Sequence, residues 1–456
     1  MLTTLAAPAF AGTWYIEDGD ITVKAGETKG TNKVSQGANQ EVEDTDTIIT
    51  NRDKDTASSN TVTINAEDKN DKVEVTLKDV NIDTSSRNKA AVSVTGSGNT
   101  TIKLDGDNHL TGGNGIYSNS SGSLTISGDE NDSLTAQGGD SRNGIYSVSG
   151  DVTISGGTVT ATGGNSTGSY GSGGDGIHSG SLTISGGTVT ATGGGSTGSN
   201  GLGGRGICSD SGGVTISGGS TVTANGGNGS SGGDGICSFD RVAISGGTVN
   251  ANGGDGSSRN GGSGIYSNDI DLSGSLELTA KAGSPNGKAL SQKGSELVLD
   301  TIKDKLGPGA KVTVTDANGK VNQVSIPRPV EPEEPVIPEE SSSSSDGGSA
   351  TSSAPASPFP GLTVTDKDGQ RISYTSTQSG NTLTVCVGRF TASFRISLAT
   401  LRQLRAEGID TITFQTILCS TTLSVDELLA MGGEDTEVVL THHIRSSTLT
   451  VGGKAV

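Results

Sequence analysis

The sequence predicts a mainly β chain, most of which forms a right-handed parallel β-helix with coils of about 30 residues. Two observations lead to this prediction. One three-part pattern occurs six times, and within each part apolar residues alternate with polar ones. The repetition indicates stacked units, and the alternation indicates strands with one buried face.

The repeat begins with Gly-Ile and a variable residue, and successive glycines are 29, 32, 30, 29 and 29 residues apart. A second segment follows, as at residues 152–156, and then a third, as at residues 158–164. A fixed period of this size is typical of solenoids, so each copy is predicted to form one coil. The six copies begin at Gly115, Gly144, Gly176, Gly206, Gly235 and Gly264.

Each segment alternates in the manner of a strand. Val152 and Ile154 alternate with Thr153 and Ser155, and glycine pairs end the segments, where tight corners require positive φ. Three strands and three corners form one coil, and neighbouring coils pair in register roughly 4.8 Å apart. Helical repeats are excluded because glycine and β-branched threonine occupy the positions that helix formers would need.

Around this repeat the chain is predicted to divide into six segments. Residues 1–11 end in an A-x-A cleavage pattern, for which an ordinary terminus is the alternative. The linker holds eight of the 11 prolines. The segments are a signal-peptide remnant (1–11), an N-terminal cap with the first irregular β-helix coils (12–110), the regular repeats (111–280), terminal coils (281–326), a disordered Pro/Glu/Ser linker (327–360) and a small, stalk-like α+β domain (361–456).

The last segment contains two matching strand–helix units. Ser397 precedes an amphipathic helix over residues 398–406, and Ser424 with Glu427 forms a capping box before a helix over residues 425–431. The two serines are 27 residues apart, so we predict an internal duplication. Strands are predicted over residues 362–365, 382–387, 391–396, 411–414 and 436–440.

Composition excludes several classes of function. A net charge of −19 disfavours nucleic acid and anionic lipid surfaces as partners. No stretch of 18 apolar residues follows the N-terminal segment, so no transmembrane span is predicted. The acidic balance suits a monomeric protein that is secreted or held at the cell surface.

Several motifs resemble those of bacterial surface proteins that contain carbohydrate-binding domains. They are VTLKDVNID at residues 75–83, AAVSV at 90–94, IKLDGDNHL at 102–110 and the later TISGGTVTATGG repeats. The resemblance covers residues 12–326 and implies a parallel β-helix, glycan binding and, in some members, calcium. Residues 361–456 resemble stalk domains of Gram-positive surface proteins, although no sortase motif or S-layer repeat is present.

Two columns of residues flank the repeated Gly-Ile. In the column before it, Asp175, Arg205 and Asp234 are predicted to form a ladder of alternating charge that binds a glycan hydroxyl; the alternative is an exposed salt-bridge stack. The column after it would form a solvent-facing strip that contacts sugar rings or merely covers a corner. Its members are Tyr117, Tyr146, His178, Cys208, Cys237 and Tyr266, of which the tyrosines and His178 are the predicted ligand-binding residues.

Metal and disulfide chemistry is predicted elsewhere. Carboxylates of Asp105, Asp107, Asp129 and Asp132 are candidate calcium ligands, although acidic residues also favour turns without a metal. Cys208 and Cys237 lie within disulfide range but are poorly oriented for the bond. Cys386 and Cys419 are therefore the preferred disulfide pair, with two unpaired thiols as the alternative.

Catalysis is not predicted. Asp175 and Asp234 would lie two coils apart, and Arg205 between them would keep both ionised, which does not suit a general acid. The leading hypothesis is an exported, surface-associated protein that binds carbohydrate or acts in adhesion. A calcium-dependent polysaccharide lyase or glycoside hydrolase is the first alternative, and a passive structural spacer is the second.

Overall fold

A computed structural model describes residues 11–327 and 362–455. The second range has short gaps at residues 367–369, 373, 380, 390, 417–419, 434–435, 444–446 and 453. Nearly all of the predicted signal-peptide remnant and of the predicted linker lies outside the described residues. The chain forms two compact units, Met1–Glu331 and Pro332–Val456.

The protein is mainly β, with 51% strand and 7% helix, and its first unit is a β-solenoid of about 11 turns. This confirms the predicted fold class. Each coil contributes strands to three rows, which correspond to the three parts of the sequence repeat. From Ile177–Ile184 onward the first-row and second-row strands join into one long strand per coil. No helix in the described part of the chain is long and apolar enough to cross a membrane.

The rows are built of parallel strands. The first row contains Ile21–Ala25, Val62–Ala66, Val92–Gly96, Ile116–Ser118, Ile145–Ser147, the beginnings of Ile177–Ile184, Ile207–Ile216, Ile236–Ile244 and Ile265–Leu272, and Leu290–Gln292. The second row contains Thr13–Tyr15, Ile48–Thr50, Lys72–Lys78, Asn99–Asp105, Leu124–Ser127, Val152–Ile154 and the ends of the four long strands. The third row contains Asn81–Asp83, Asp107–Gly112, Ser133–Gly138, Thr158–Thr162, Thr188–Thr192, Thr221–Asn225, Gly247–Asn252, Leu276–Lys281 and Lys311–Thr315.

The core consists of aliphatic columns that run along the solenoid. Ile145 pairs in register with Ile177, and Ile177 with Ile207. All three side chains are fully buried, and burial of one isoleucine contributes roughly 1.5–3 kcal/mol. The preceding glycine is required because neighbouring coils approach closely there: a Cβ at Gly206 would lie 2.6 Å from the carbonyl oxygen of Gly235 on the next coil.

A column of buried serines was not predicted. The repeat reads Gly-Ile-x-Ser in all six copies, and each serine is fully buried. Ser147 Oγ donates to Gly150 O at 2.9 Å, and Ser209 Oγ donates to Gly180 O at 2.8 Å. The hydroxyls of Ser147 and Ser209 thus satisfy carbonyl groups at the corner between the first and second rows, whereas Ser179 Oγ is buried without a hydrogen-bond partner. The column contains Ser118, Ser147, Ser179, Ser209, Ser238 and Ser267.

Antiparallel strands end the first row on both sides and the third row on its far side. Asn32–Gln36 pairs antiparallel with the first strand of the first row, and Asn39–Asp44 pairs with it in turn. At the other end, Ser295–Glu296 and Val321–Ser325 pair antiparallel with the last strands of the first and third rows. The solenoid also contains short 3-10 helices at Ile16–Asp18, Ser85–Arg87, Leu299–Thr301 and Lys303–Lys305.

The second unit has two sheets and two helices. As predicted, helix Leu398–Ala406 follows the cap residue Ser397, whose Oγ accepts from Thr400 N; the second helix, Val425–Leu429, is shorter than predicted. Each helix lies between two strands, and the internal duplication stays a prediction. One sheet contains Leu362–Thr365, Ala392–Ser397, Glu437–His442, Ser447–Val451 and Lys454–Ala455, and the other Thr375–Ser379, Thr382–Cys386, Thr411–Gln415 and Ser420–Ser424.

Candidate functional site

The candidate site lies on the outer face of the first row, at the column that follows Gly-Ile. Because the isoleucines face the core, the next residue of each strand faces outward. The six side chains of this column are in register from coil to coil, as predicted. They are Tyr117, Tyr146, His178, Cys208, Cys237 and Tyr266.

The first three members form a row of stacked rings. The ring centroids of Tyr117 and Tyr146 are 5.7 Å apart, and the edge-on contact of Tyr146 with His178 spans 5.1 Å. All three rings are half-buried. Burial raises the pKa of Tyr146, so its hydroxyl stays protonated and able to donate. We call these three residues the aromatic row.

The predicted solvent-facing strip is interrupted in the middle. Cys208 and Cys237 are buried, and beyond them Tyr266 contacts Phe239, with centroids 6.4 Å apart. Phe239 is partly exposed and lies two residues beyond Cys237 on the same strand. Its position on the same face follows from strand alternation, although the sequence reasoning missed it.

The column before Gly-Ile bonds chiefly to backbone. Asp175 Oδ1 accepts from Arg205 N at 2.6 Å, and Asn143 Oδ1 accepts from Asp175 N at 2.7 Å. Asp234 Oδ1 likewise accepts from Ser263 N at 2.6 Å. These contacts fix one coil to the next, as carboxylate and amide oxygens accept from backbone donors that the corner leaves unpaired.

The Arg205 side chain does not form the predicted ladder of alternating charge, because its guanidinium contacts Cys208 and Phe239 instead. Its Nη1 donates to Cys208 Sγ at 3.4 Å, and its guanidinium carbon lies 5.8 Å from the Phe239 ring centroid. Burial raises the pKa of the Asp234 carboxyl, against the opposing effects of Ser263 and Arg205, so burial acts against the predicted effect of Arg205 in keeping this aspartate ionised.

His178 is held between two carboxylates. Its Nδ1 lies 2.7 Å from Asp175 Oδ2, and its Nε2 lies 2.8 Å from Asp210 Oδ2. Burial alone would lower the pKa of His178, but the hydrogen bonds to the two aspartates outweigh burial and raise it to about 9. The imidazole is therefore protonated at neutral pH and donates from both nitrogens.

The two buried cysteines are thiols in contact, without a disulfide. A hydrogen bond from Cys237 lowers the pKa of Cys208, and the Arg205 guanidinium adds to this effect while burial opposes it. The pKa of Cys237 is raised because its thiol is the donor of this bond and is buried. Cys208 is thus the more nucleophilic and more metal-binding sulfur of the pair.

Potential metal ligands come together here. One ligand atom from each of Asp175, His178 and Cys208 lies within 4.8 Å of the other two, and within the described residues this is the one such group of three or more. Asp210, which braces the ring of His178, was missed by the sequence reasoning. It lies two residues after Cys208 on one strand, so strand periodicity was the available signal.

The predicted calcium ligands do not form such a group, and several have partners within the protein. Lys78 Nζ donates to Asp105 Oδ2 at 2.7 Å, and Ser133 Oγ donates to Asp107 Oδ1 at 2.8 Å. Asp132 accepts from the backbone of Gly106 and of Asp129. These contacts agree with the alternative in which acidic residues support turns.

The predicted disulfide of Cys386 and Cys419 lies partly outside the described residues, because Cys419 is not among them. Cys386 is half-buried, and its Sγ donates to Gln415 Oε1 at 3.5 Å. The pairing stays a prediction.

No protein-family model, curated protein or solved structure matches this chain. The resemblance to carbohydrate-binding surface proteins therefore stays a hypothesis.

Proposed function

We propose that the protein is an exported, surface-associated solenoid that binds carbohydrate, or acts in adhesion through it, without catalysing a reaction. The observation that supports this most is the aromatic row. Its rings follow one another at 5.7 and 5.1 Å along the coils. An extended glycan is itself a repeat of rings with apolar faces and polar edges, so a row of half-buried aromatic side chains is suited to it.

Polar groups beside the row supply what sugar hydroxyls need. Asp175 and Asp210 flank His178, and Asp210 is half-exposed. Tyrosine hydroxyls donate and accept, and carboxylates accept, so a sugar lying on the row meets both kinds of partner. Tyr266 with Phe239 forms a second aromatic contact three coils further along.

The test measures retention of the full chain on a panel of polysaccharides by affinity electrophoresis, with calcium and with chelator. We expect retention on at least one glycan and its loss in the variant Tyr117→Ala/Tyr146→Ala. Tyr170→Ala is the matched control because Tyr170 is 81% exposed and lies outside the row. Equal retention of all three proteins would exclude the aromatic row as the binding surface.

Three further outcomes distinguish the alternatives and test the role of calcium. If the wild-type protein, with no other enzyme added, forms unsaturated sugar ends or new reducing ends, this would favour the lyase or hydrolase. No retention on any glycan would favour the passive spacer. Retention that survives the chelator would remove calcium from the proposal while leaving glycan binding in place.

A further inference from the structure

We propose that Asp175, His178 and Cys208 bind a divalent metal ion, for which Zn²⁺ is the best match. This site is distinct from the acidic residues that the sequence suggested for calcium, and the inference does not depend on glycan binding. It rests on the convergence of three different donor types, one from each residue, within 4.8 Å.

The donor set selects the class of metal. Calcium and magnesium prefer oxygen ligands alone, whereas a thiolate with an imidazole and a carboxylate is a set typical of zinc. At a tetrahedral zinc ion the ligand atoms are about 3.3–3.8 Å apart, as follows from bond lengths of 2.0–2.3 Å. Asp175 Oδ2 and His178 Nδ1, which are 2.7 Å apart, therefore need to separate by about 0.6 Å, and a pair of ligand atoms at the 4.8 Å limit would need to approach by about 1 Å.

The surroundings are arranged as a metal site requires. Asp175 Oδ1 is occupied by Arg205 N at 2.6 Å, which fixes the carboxylate and leaves Oδ2 directed at the imidazole. The second ring nitrogen of His178 is held by Asp210 at 2.8 Å, as outer carboxylates hold the histidine ligands of zinc. The side chains of His178 and Asp175 are only 16% and 12% exposed, so the ligands are largely preordered.

Two neighbours flank the site. Cys237 pairs in register with Cys208 on the following coil, but its thiol lies outside the group of three ligand atoms. Arg205 is expected to weaken metal binding, because its positively charged guanidinium donates to Cys208 Sγ at 3.4 Å. Removal of this positive charge by Arg205→Ala is therefore expected to tighten metal binding.

The experiment titrates the chelator-treated, reduced full chain with Co²⁺, which reports its ligands by absorption. We expect one equivalent of Co²⁺ to produce intense tetrahedral bands and a thiolate-to-cobalt charge-transfer band, both removed by Zn²⁺. Cys208→Ser is expected to abolish the charge-transfer band. Cys386→Ser is the control thiol variant and is expected to retain it.

Variants that leave the fold intact keep the proposal testable. Asp210→Asn changes a half-exposed residue and is expected to weaken Zn²⁺ affinity about 10–100-fold, whereas His178→Gln is expected to weaken it by more. Hydrogen exchange in the presence of chelator checks that each variant is folded. A charge-transfer band that persists in Cys208→Ser, or the lack of any band in the wild type, would overturn the assignment and leave a hydrogen-bonded cluster without a metal.

Discussion

The two units each contain a shielded histidine, and their surroundings favour opposite charge states. His178 in the solenoid lies between Asp175 and Asp210, which raise its pKa to about 9 despite burial. His442 in the second unit is fully buried against the Phe394 ring and near the hydroxyl of Thr421, and burial lowers its pKa. The environment of His178 supplies negative charge, whereas the described partners of His442, Thr421 and Phe394, are neutral. The comparison shows that burial alone does not determine whether a histidine is charged.

The largest effect is expected from removal of a carboxylate beside His178. Asp175→Ala leaves a positive charge and the Arg205 N–H without their acceptor, and we expect a loss of about 3–5 kcal/mol in local stability. Asp175→Asn is the matched variant, because Asn143 accepts the same backbone bond one coil earlier. Hydrogen exchange of peptides from residues 175–216 measures the local stability of both variants, and we expect weaker protection in Asp175→Ala than in Asp175→Asn. Equal protection in the two variants would contradict this.

A smaller effect is expected from high pH on the same coils. Because the pKa of His178 is raised in the folded state, its contribution is complete below the unfolded pKa of 6.5 and is lost as pH rises through about 9. The loss amounts to about 3 kcal/mol at most. His178→Gln should remove this dependence, as measured by denaturant unfolding at pH 6 to 10. If the variant and the wild type share one slope, His178 is not the titrating group.

The second unit should respond in the opposite direction. Because burial lowers the pKa of His442, the unfolded state binds the proton more readily, and stability falls as pH drops below 6.5. His442→Ala should flatten this slope and cost about 2 kcal/mol, since Thr421 loses its partner. Hydrogen exchange of peptides from residues 437–442 at pH 5 and 7 measures the effect; exchange that is independent of pH in the wild type would disprove it.

The smallest effect is expected on the outer face of the third row. Thr160 lies between Thr135 and Thr190 on neighbouring strands, half-exposed. Thr160→Val keeps the β-branched shape and should change stability by less than about 0.5 kcal/mol. A larger loss, measured by the same denaturant unfolding, would mean that hydroxyl contacts between coils stabilise the solenoid as much as its aliphatic columns do.

Much of the fold could be predicted because the same alternation of apolar and polar residues is repeated in successive coils. The alternation around Val152 and Ile154 occurs in every coil, and each copy places its isoleucine in the same column. The second unit has no such repetition, so its strands Thr375–Ser379, Ser420–Ser424 and Ser447–Val451 were not predicted. Two helices were found there because the serine caps at Ser397 and Ser424 are local signals.

The candidate site was predicted only in outline. The in-register column was foreseen because it depends on strand period and coil length alone. Which neighbours a side chain selects depends on rotamers and burial, and sequence does not reveal these. Arg205 was therefore expected between two aspartates, whereas its guanidinium contacts Cys208 and Phe239. Asp210 and its bond to His178 were missed for the same reason.

The antiparallel strands at both ends of the solenoid have a consequence for assembly. A parallel stack of identical strands is the arrangement of an amyloid fibril, and it offers an open edge to the next molecule. Asn32–Gln36 covers the first strand of the first row, and Val321–Ser325 covers the last strand of the third. Because these end strands run antiparallel, they do not continue the parallel pairing of the row. At these two ends the chain itself therefore occupies the strand edge with which a second molecule would otherwise pair.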